Sequence, residues 1–269
     1  MKQANATTAV RQPPVVTGSD ARTELVNRAR GRTTVPLRKS FVQKPRGSEC
    51  RHGPLKEFVA NGDLRGLRAY LIIVAGTSQE NPDGWTTTLD TAVWARLMDI
   101  DQTATGPAAR TGASKTLNRL EERKLVRCSR TRGSTKISVT LLREDGSGDP
   151  YTRPDGSTEQ DRFLRLPSAF WTSGHDAKMD IPSLAMLLAI AHEKPWSRFP
   201  AKRAKQWYGW SEDTTLRGIQ KLLELGLIER REAYERAPLS PTGVTMVHEI
   251  RLVRWMRPPA GRRRAESKS

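Results

Sequence analysis

Two stretches of the chain set apolar residues at helical spacing and then switch to strand-like alternation. In the first, Leu64, Leu67, Leu71, Ile72 and Ala75 share one helical face, and Leu89, Val93, Leu97 and Met98 share another. A third helix is predicted over residues 112–124, followed by β-rich runs at 125–130 and 135–142 around the turn Thr131-Arg132-Gly133-Ser134. The second stretch opens with a strand-like Phe163-Leu164-Arg165-Leu166 and an apolar helix over 181–192, with Pro182 near its first turn. A basic helix over 201–208 follows. Ser211 then stands at an N-cap position, with Glu212 and Asp213 beside the positive end of a helix that reaches about Leu225. A hairpin over 227–254 closes the stretch, its tip at 237–243. Each stretch predicts three helices and a hairpin.

Sliding the chain on itself by 102 residues lays Lys115–Glu122 over Arg217–Glu224, and the match continues through Leu125-Val126 over Leu227-Ile228. Leu120/Leu222, Glu122/Glu224 and Leu125/Leu227 are identical. Asn118/Gln220, Arg119/Lys221 and Val126/Ile228 keep chemical type. One supersecondary unit has been used twice. The predicted fold class is α+β, mainly α, with units at 61–143 and 162–256. A linker is expected at 144–161, which is rich in Gly, Asp, Pro and Ser. Residues 1–60 carry twelve Lys/Arg against four acids, are punctuated by Pro13, Pro14, Pro36, Pro45 and Pro54, and show no sustained period. They are expected to form a disordered basic arm, and 257–269, with Arg262-Arg263-Arg264, a shorter basic tail.

The stretch T-T-L-R-G-I-Q-K-L-L-E-L-G-L-I, from Thr214 to Ile228, resembles the recognition helix and first wing strand of bacterial winged helix-turn-helix proteins. Its marks are a polar N-terminal half, one apolar face and Leu-Gly-Leu-Ile at the helix end, where a left-handed glycine reverses the chain. The first unit departs from the pattern by placing Lys124 where Gly226 stands. The resemblance implies two tandem winged-helix units that bind double-stranded DNA. It further implies either a transcriptional regulator or a plasmid-type replication initiator that binds origin repeats. A scaffold whose units bind proteins is the third reading.

Charge points the same way. Lys plus Arg exceed Asp plus Glu by 46 to 29, the net charge is +17 and the pI is about 10.5, so a polyanionic partner is expected. Composition does not separate DNA from RNA. In a winged helix the third helix enters the major groove and the wing grips backbone or minor groove. The candidates in unit one are Arg110, Ser114, Lys115, Asn118 and Arg119 on the helix, with Arg130, Arg132, Ser134 and Lys136 on the wing. In unit two they are Thr214, Thr215, Arg217 and Lys221, with Arg230, Arg231 and Arg236 on the wing and Lys202, Arg203 and Lys205 on the preceding helix. From Asp101 to Lys136 nine cations face three acids, whereas from Arg198 to Arg236 nine face six, so unit one is expected to read bases. Arg119 and Lys115 could instead serve only as solvated partners of Glu122 and Glu121. Trp171, Trp196, Trp207, Trp210 and Trp255 are read as core or interface residues, with stacking on single strands the less favoured role.

No catalytic or cofactor chemistry is visible in the sequence. The four histidines make no metal-ligand spacing, and Cys50 and Cys128 make no C-x-x-C. Thr111 to Thr116 lacks the spacing of a phosphate loop, and no G-x-S-x-G occurs. Asp99 and Asp101 are read as turn residues. No signal core or membrane span is found, so a cytoplasmic, nucleoid-associated protein is expected, without metal or membrane partners. A homodimer is compatible with this reading, although two recognition helices on one chain already supply two half-site readers.

Overall fold

The computed structural model describes residues 15–29, 32–45 and 47–257. Thr17 and Asp20 cap each other reciprocally, with N–H to oxygen distances of 2.9 and 3.2 Å, and start helix α1 (Gly18–Asn27). Strand β1 (Thr34–Arg38) and helix α2 (Leu55–Ala60) follow. Leu25, Val26, Val35, Leu37, Phe41, Leu55 and Phe58 are all buried. The expected disordered arm is therefore folded from residue 15 to 60 wherever it is described, while 1–14 lie outside the described residues. Its apolar residues are too sparse to make a local amphipathic pattern. They find their partners in distant elements, and this outweighs the Pro- and Arg-rich composition.

The first repeated unit runs through α3 (Leu64–Gly76), β2 (Thr86–Asp90), α4 (Thr91–Leu97), α5 (Gly106–Glu122), β3 (Val126–Ser129) and β4 (Lys136–Leu141). Its sheet has the antiparallel order β2-β4-β3. Leu89, expected on a helix, lies in β2 opposite Ile137. The helix starts only after Asp90, whose carboxylate accepts the Ala92 N–H at 2.8 Å as an N-cap. α5 begins at Gly106, earlier than expected, because Pro107 suits a first helical turn.

The expected linker at 144–161 is fastened down. Glu144 is fully buried and pairs with Arg38 of β1 at 2.5 Å, and Asp161 pairs with the same guanidinium at 2.7 Å. Thr152 accepts a third hydrogen bond from Arg38, at 2.8 Å. Arg153 lies over Trp85, 4.5 Å from the ring centroid, and donates to the Ser78 carbonyl at 2.9 Å. The polar residues that read as linker are the partners of a buried cation.

The second unit comprises β5 (Phe163–Pro167), α6 (Ala169–Thr172), α7 (Ile181–His192), α8 (Ala204–Trp207), α9 (Glu212–Glu224), β6 (Ile228–Arg236) and β7 (Val244–Leu252). β5 pairs antiparallel with β1, which ties the N-terminal segment to this half. α7 is buried on all sides from Pro182 to Ile190 and forms the centre of this half. The expected helix over 201–208 splits into a 3-10 turn, Ala201–Arg203, and α8. A bridge from Ser197 to Ile250 sets one residue beside β7, as β2 lies beside β4 in the first unit.

The repeat persists in the backbone. Leu125 N–H reaches the Leu120 carbonyl at 3.1 Å, and Leu227 N–H reaches Leu222 at 3.0 Å. Lys124 and Gly226 both adopt positive φ, 56° and 64°, so the lysine makes the same left-handed turn as the glycine. The chain is thus a mixed α and β structure, with one contiguous buried cluster running through both halves. Among the described residues no helix is long and apolar enough to cross a membrane.

Candidate nucleic-acid interface

α5 buries Ala109, Ala113, Thr116, Leu117 and Leu120, a stripe at i, i+3 and i+4 spacing that seats the helix on the core. The opposite face carries Lys115 and Asn118, and Arg110 lies at the edge of the stripe near the helix start, all three exposed. Ser114 is half-buried and returns its hydroxyl to the Arg110 carbonyl at 3.1 Å. Arg110 and Lys115 have no ion-pair partner among the described residues, and neither do Arg130, Arg132 and Lys136 on the hairpin. Arg130 folds over the hairpin turn to the Ser134 carbonyl at 2.6 Å, and the Ser134 hydroxyl accepts the Lys136 N–H at 3.1 Å.

Helix and hairpin meet around Asp90. Its carboxyl is held below the usual range first by the Thr135 hydroxyl, then by the Ala92 N–H, with Arg110 and Lys136 adding their fields. That places Arg110 and Lys136 in one neighbourhood. The outer face of the sheet is polar and continuous, since Thr86 pairs with Thr140, Thr88 with Ser138 and Asp90 with Lys136.

In unit two Ser211 caps α9, accepting the Thr214 N–H at 3.1 Å. Both helix cations and one wing cation are paired here. Arg217 faces Asp213 at 3.4 Å, Lys221 faces Glu224 at 3.5 Å, and Arg231 holds Glu249 at 2.7 Å while lying over the Trp196 ring. Glu212 and Asp213 are exposed at the start of the helix. Arg230, Arg236, Lys202, Arg203 and Lys205 are exposed, with Arg203 above Trp207.

Two candidates are placed in supporting positions. Thr215 is buried, 2 % exposed, and accepts the Trp210 indole N–H at 3.1 Å, so its side chain belongs to the interior. Arg119 is half-buried and spends its guanidinium on Asp63, with bonds of 3.1 and 3.0 Å, instead of on Glu122. Asp63 also takes the Arg123 guanidinium at 2.7 Å. Burial alone would raise its pKa, but the Arg119 and Arg123 hydrogen bonds and the Gly66 N–H bring it down to about 2. Asp99 likewise works as a structural anion, 2.9 Å from Arg22 and 2.8 Å from Arg68.

Sequence reasoning missed Arg127, exposed on β3 across from Thr140, and Thr111, exposed one turn after the helix start. Strand alternation could have found the first. Trp171 and Trp210 are core residues, whereas Trp255 is 41 % exposed. Cys50 Sγ lies 3.4 Å from His52 Nδ1, and among the described residues no group of three His, Cys, Asp or Glu is arranged to hold a metal ion. Comparison with protein-family models finds no match, and comparisons with curated proteins and with solved structures find no significant match.

Proposed function

We propose that the chain is a sequence-specific double-stranded DNA-binding protein built on two winged-helix units, and that it acts as a transcriptional regulator. The observation that carries the reading is the exposed surface of α5. Lys115 and Asn118 stand exposed and unpaired opposite a buried apolar stripe, Arg110 is exposed at the edge of that stripe near the helix start, and the hairpin adds Arg130, Arg132 and Lys136. The order helix, strand, helix, helix, hairpin, with the first strand beside the last, supports the winged-helix reading. Its second use, with a single bridging residue in place of the first strand, supports the tandem reading. Asn and Arg suit adenine and guanine edges in the major groove. Unit one is the base reader, because Arg110 and Lys115 lack the carboxylate partners that Arg217 and Lys221 have.

Selection of bound duplexes from a genomic pool at stated salt tests this, followed by anisotropy on the best site. The variant Arg110→Ala/Lys115→Ala/Asn118→Ala should lose sequence preference and keep its far-UV dichroism. A folded triple variant with unchanged affinity and salt slope would falsify the proposal. The same selection separates the two modes of use. One palindrome across a promoter supports regulation, and several direct repeats beside an AT-rich stretch support replication initiation.

A further inference from the structure

Where residues 39–45 and Arg51 meet the loop after α7, two adjoining clefts of 530 and 880 Å³ share Gln43, Arg51, Glu193 and Ser197 in their walls. The smaller cleft carries a surplus of cations, Lys39, Lys44, Arg51, Arg162 and Lys194 against Glu159 and Glu193, with Lys39 donating to the His192 carbonyl. Its Arg162 and Glu159 face each other at 3.7 Å. Lys44, Lys194 and Arg51 have no ion-pair partner among the described residues. Ser40, 8 % exposed, adds a hydroxyl with no hydrogen-bond partner, and the Nε of Arg51 is buried and unpaired as well. Buried polar groups without partners are uncommon. The Ser40 hydroxyl, at the wall of a cleft with surplus cations, fits an anion that supplies its acceptor.

The larger cleft has a different character. Its Arg198 is neutralised by Glu235, and Glu249 is held by Arg231 at 2.7 Å. Trp207, Tyr208, Phe199 and Val247 line it. Gln43 fixes the junction by donating to the Trp207 carbonyl at 2.7 Å. The complementary ligand has an anionic head and a flat apolar body, joined near Arg51.

We propose that this bipartite cleft binds a nucleotide, its phosphate against Arg51, Lys44 and Ser40 and its base against Trp207 and Phe199. A free mononucleotide and an unpaired nucleotide of a single strand offer the same chemistry. The site is independent of the duplex-binding reading and is measured without duplex. The full chain is titrated with AMP, GMP, CMP and dTMP, and with five-nucleotide single strands of each base, by calorimetry and tryptophan fluorescence. Saturable binding with Kd below about 1 mM is expected, weakened about tenfold or more by Arg51→Gln, as for loss of a charge-assisted contact, and severalfold by Ser40→Ala.

The Ser40 hydroxyl holds nothing in the protein, so Ser40→Ala keeps the fold. Lys44→Gln is a third variant, and unchanged dichroism and Tm are required of each. Saturation by a mononucleotide assigns the site to the free ligand, and saturation by single strands alone assigns it to a strand-borne nucleotide. Absence of saturable binding by every probe overturns the proposal, as does binding that none of the folded variants alters.

Discussion

Arg119 of α5 grips Asp63 at the cap of α3 through two hydrogen bonds, Nε to Oδ2 at 3.1 Å and Nη2 to Oδ1 at 3.0 Å. The Gly66 N–H reaches the same carboxylate at 2.9 Å, so one side chain caps a helix and fastens it to another. Asp63→Ala should cost about 1–3 kcal/mol, read as a lower urea midpoint. Arg119→Ala should cost less, because its side chain is 40 % exposed and the pair is partly screened. Equal midpoints for wild type and Asp63→Ala would show that the clamp contributes nothing.

Acid should release this clamp. In the folded protein Asp63 and Asp161 are each brought down to about 2 against the opposing effect of burial, Asp161 by the Asp155 and Gly156 N–H groups and Arg38. An unfolded aspartate titrates near pH 3.9, so the stabilisation is complete above that value and is lost as the pH falls towards 2. Glu144 and Asp176 run the other way, because burial raises both, so they add stability as the pH falls towards about 4 and leave the loss below it to Asp63 and Asp161. Urea midpoints from pH 7 to pH 2 should therefore drop below pH 4, with a shallower drop in Asp63→Asn. Parallel curves for the two proteins would rule the assignment out.

On a selected duplex, Asn118→Ala should cost about 1–3 kcal/mol and relax preference at one base pair. Arg132→Ala should weaken all duplexes alike and lower the salt slope by about 1. Anisotropy at two salt concentrations distinguishes the two. The roles are misassigned if Arg132→Ala changes sequence preference and Asn118→Ala does not.

The left-handed turns after α5 and α9 make a paired prediction. Lys124→Gly should stabilise the protein by about 0.5–1 kcal/mol by removing a strained side chain, and Gly226→Ala should destabilise it by a similar amount. Thermal melts that shift in opposite directions are the expected outcome, and shifts of one sign contradict it.

Gly218 marks the closest approach of α9 to α7, since a Cβ there would lie 2.4 Å from the Pro182 carbonyl oxygen. Gly218→Ala should cost about 1–3 kcal/mol through forced separation of the helices. A melt indistinguishable from wild type would mean that α7 shifts freely, against its burial on all sides.

The repeated part of the fold was legible in the sequence because its pattern is local. Leu120 with Leu125, and Leu222 with Leu227, fall at spacings that a helix and its exit strand enforce within a few residues. What was missed depends on remote partners. Leu25, Val35 and Phe41 belong to no local period, and Arg38 finds Glu144 106 residues away. The candidate site divides in the same way. Exposure of Arg110, Lys115 and Asn118 follows from helix periodicity, whereas the engagement of Arg119 depends on Asp63, 56 residues earlier, and that of Thr215 on a tryptophan N–H.

The two-stranded sheet of β1 and β5 has a consequence for the order of assembly. Arg38 and Asp161 are separated by 123 residues of chain. At a synthesis rate of about 5–20 residues per second, roughly 6–25 s pass between their appearances. During that interval the segment holding Leu37 and Phe41 lacks the strand that shelters it. Protease added to nascent chains arrested before residue 160 should cut between 15 and 60, and the completed chain should resist there. A stretch synthesised early is then secured only once β5 has been made.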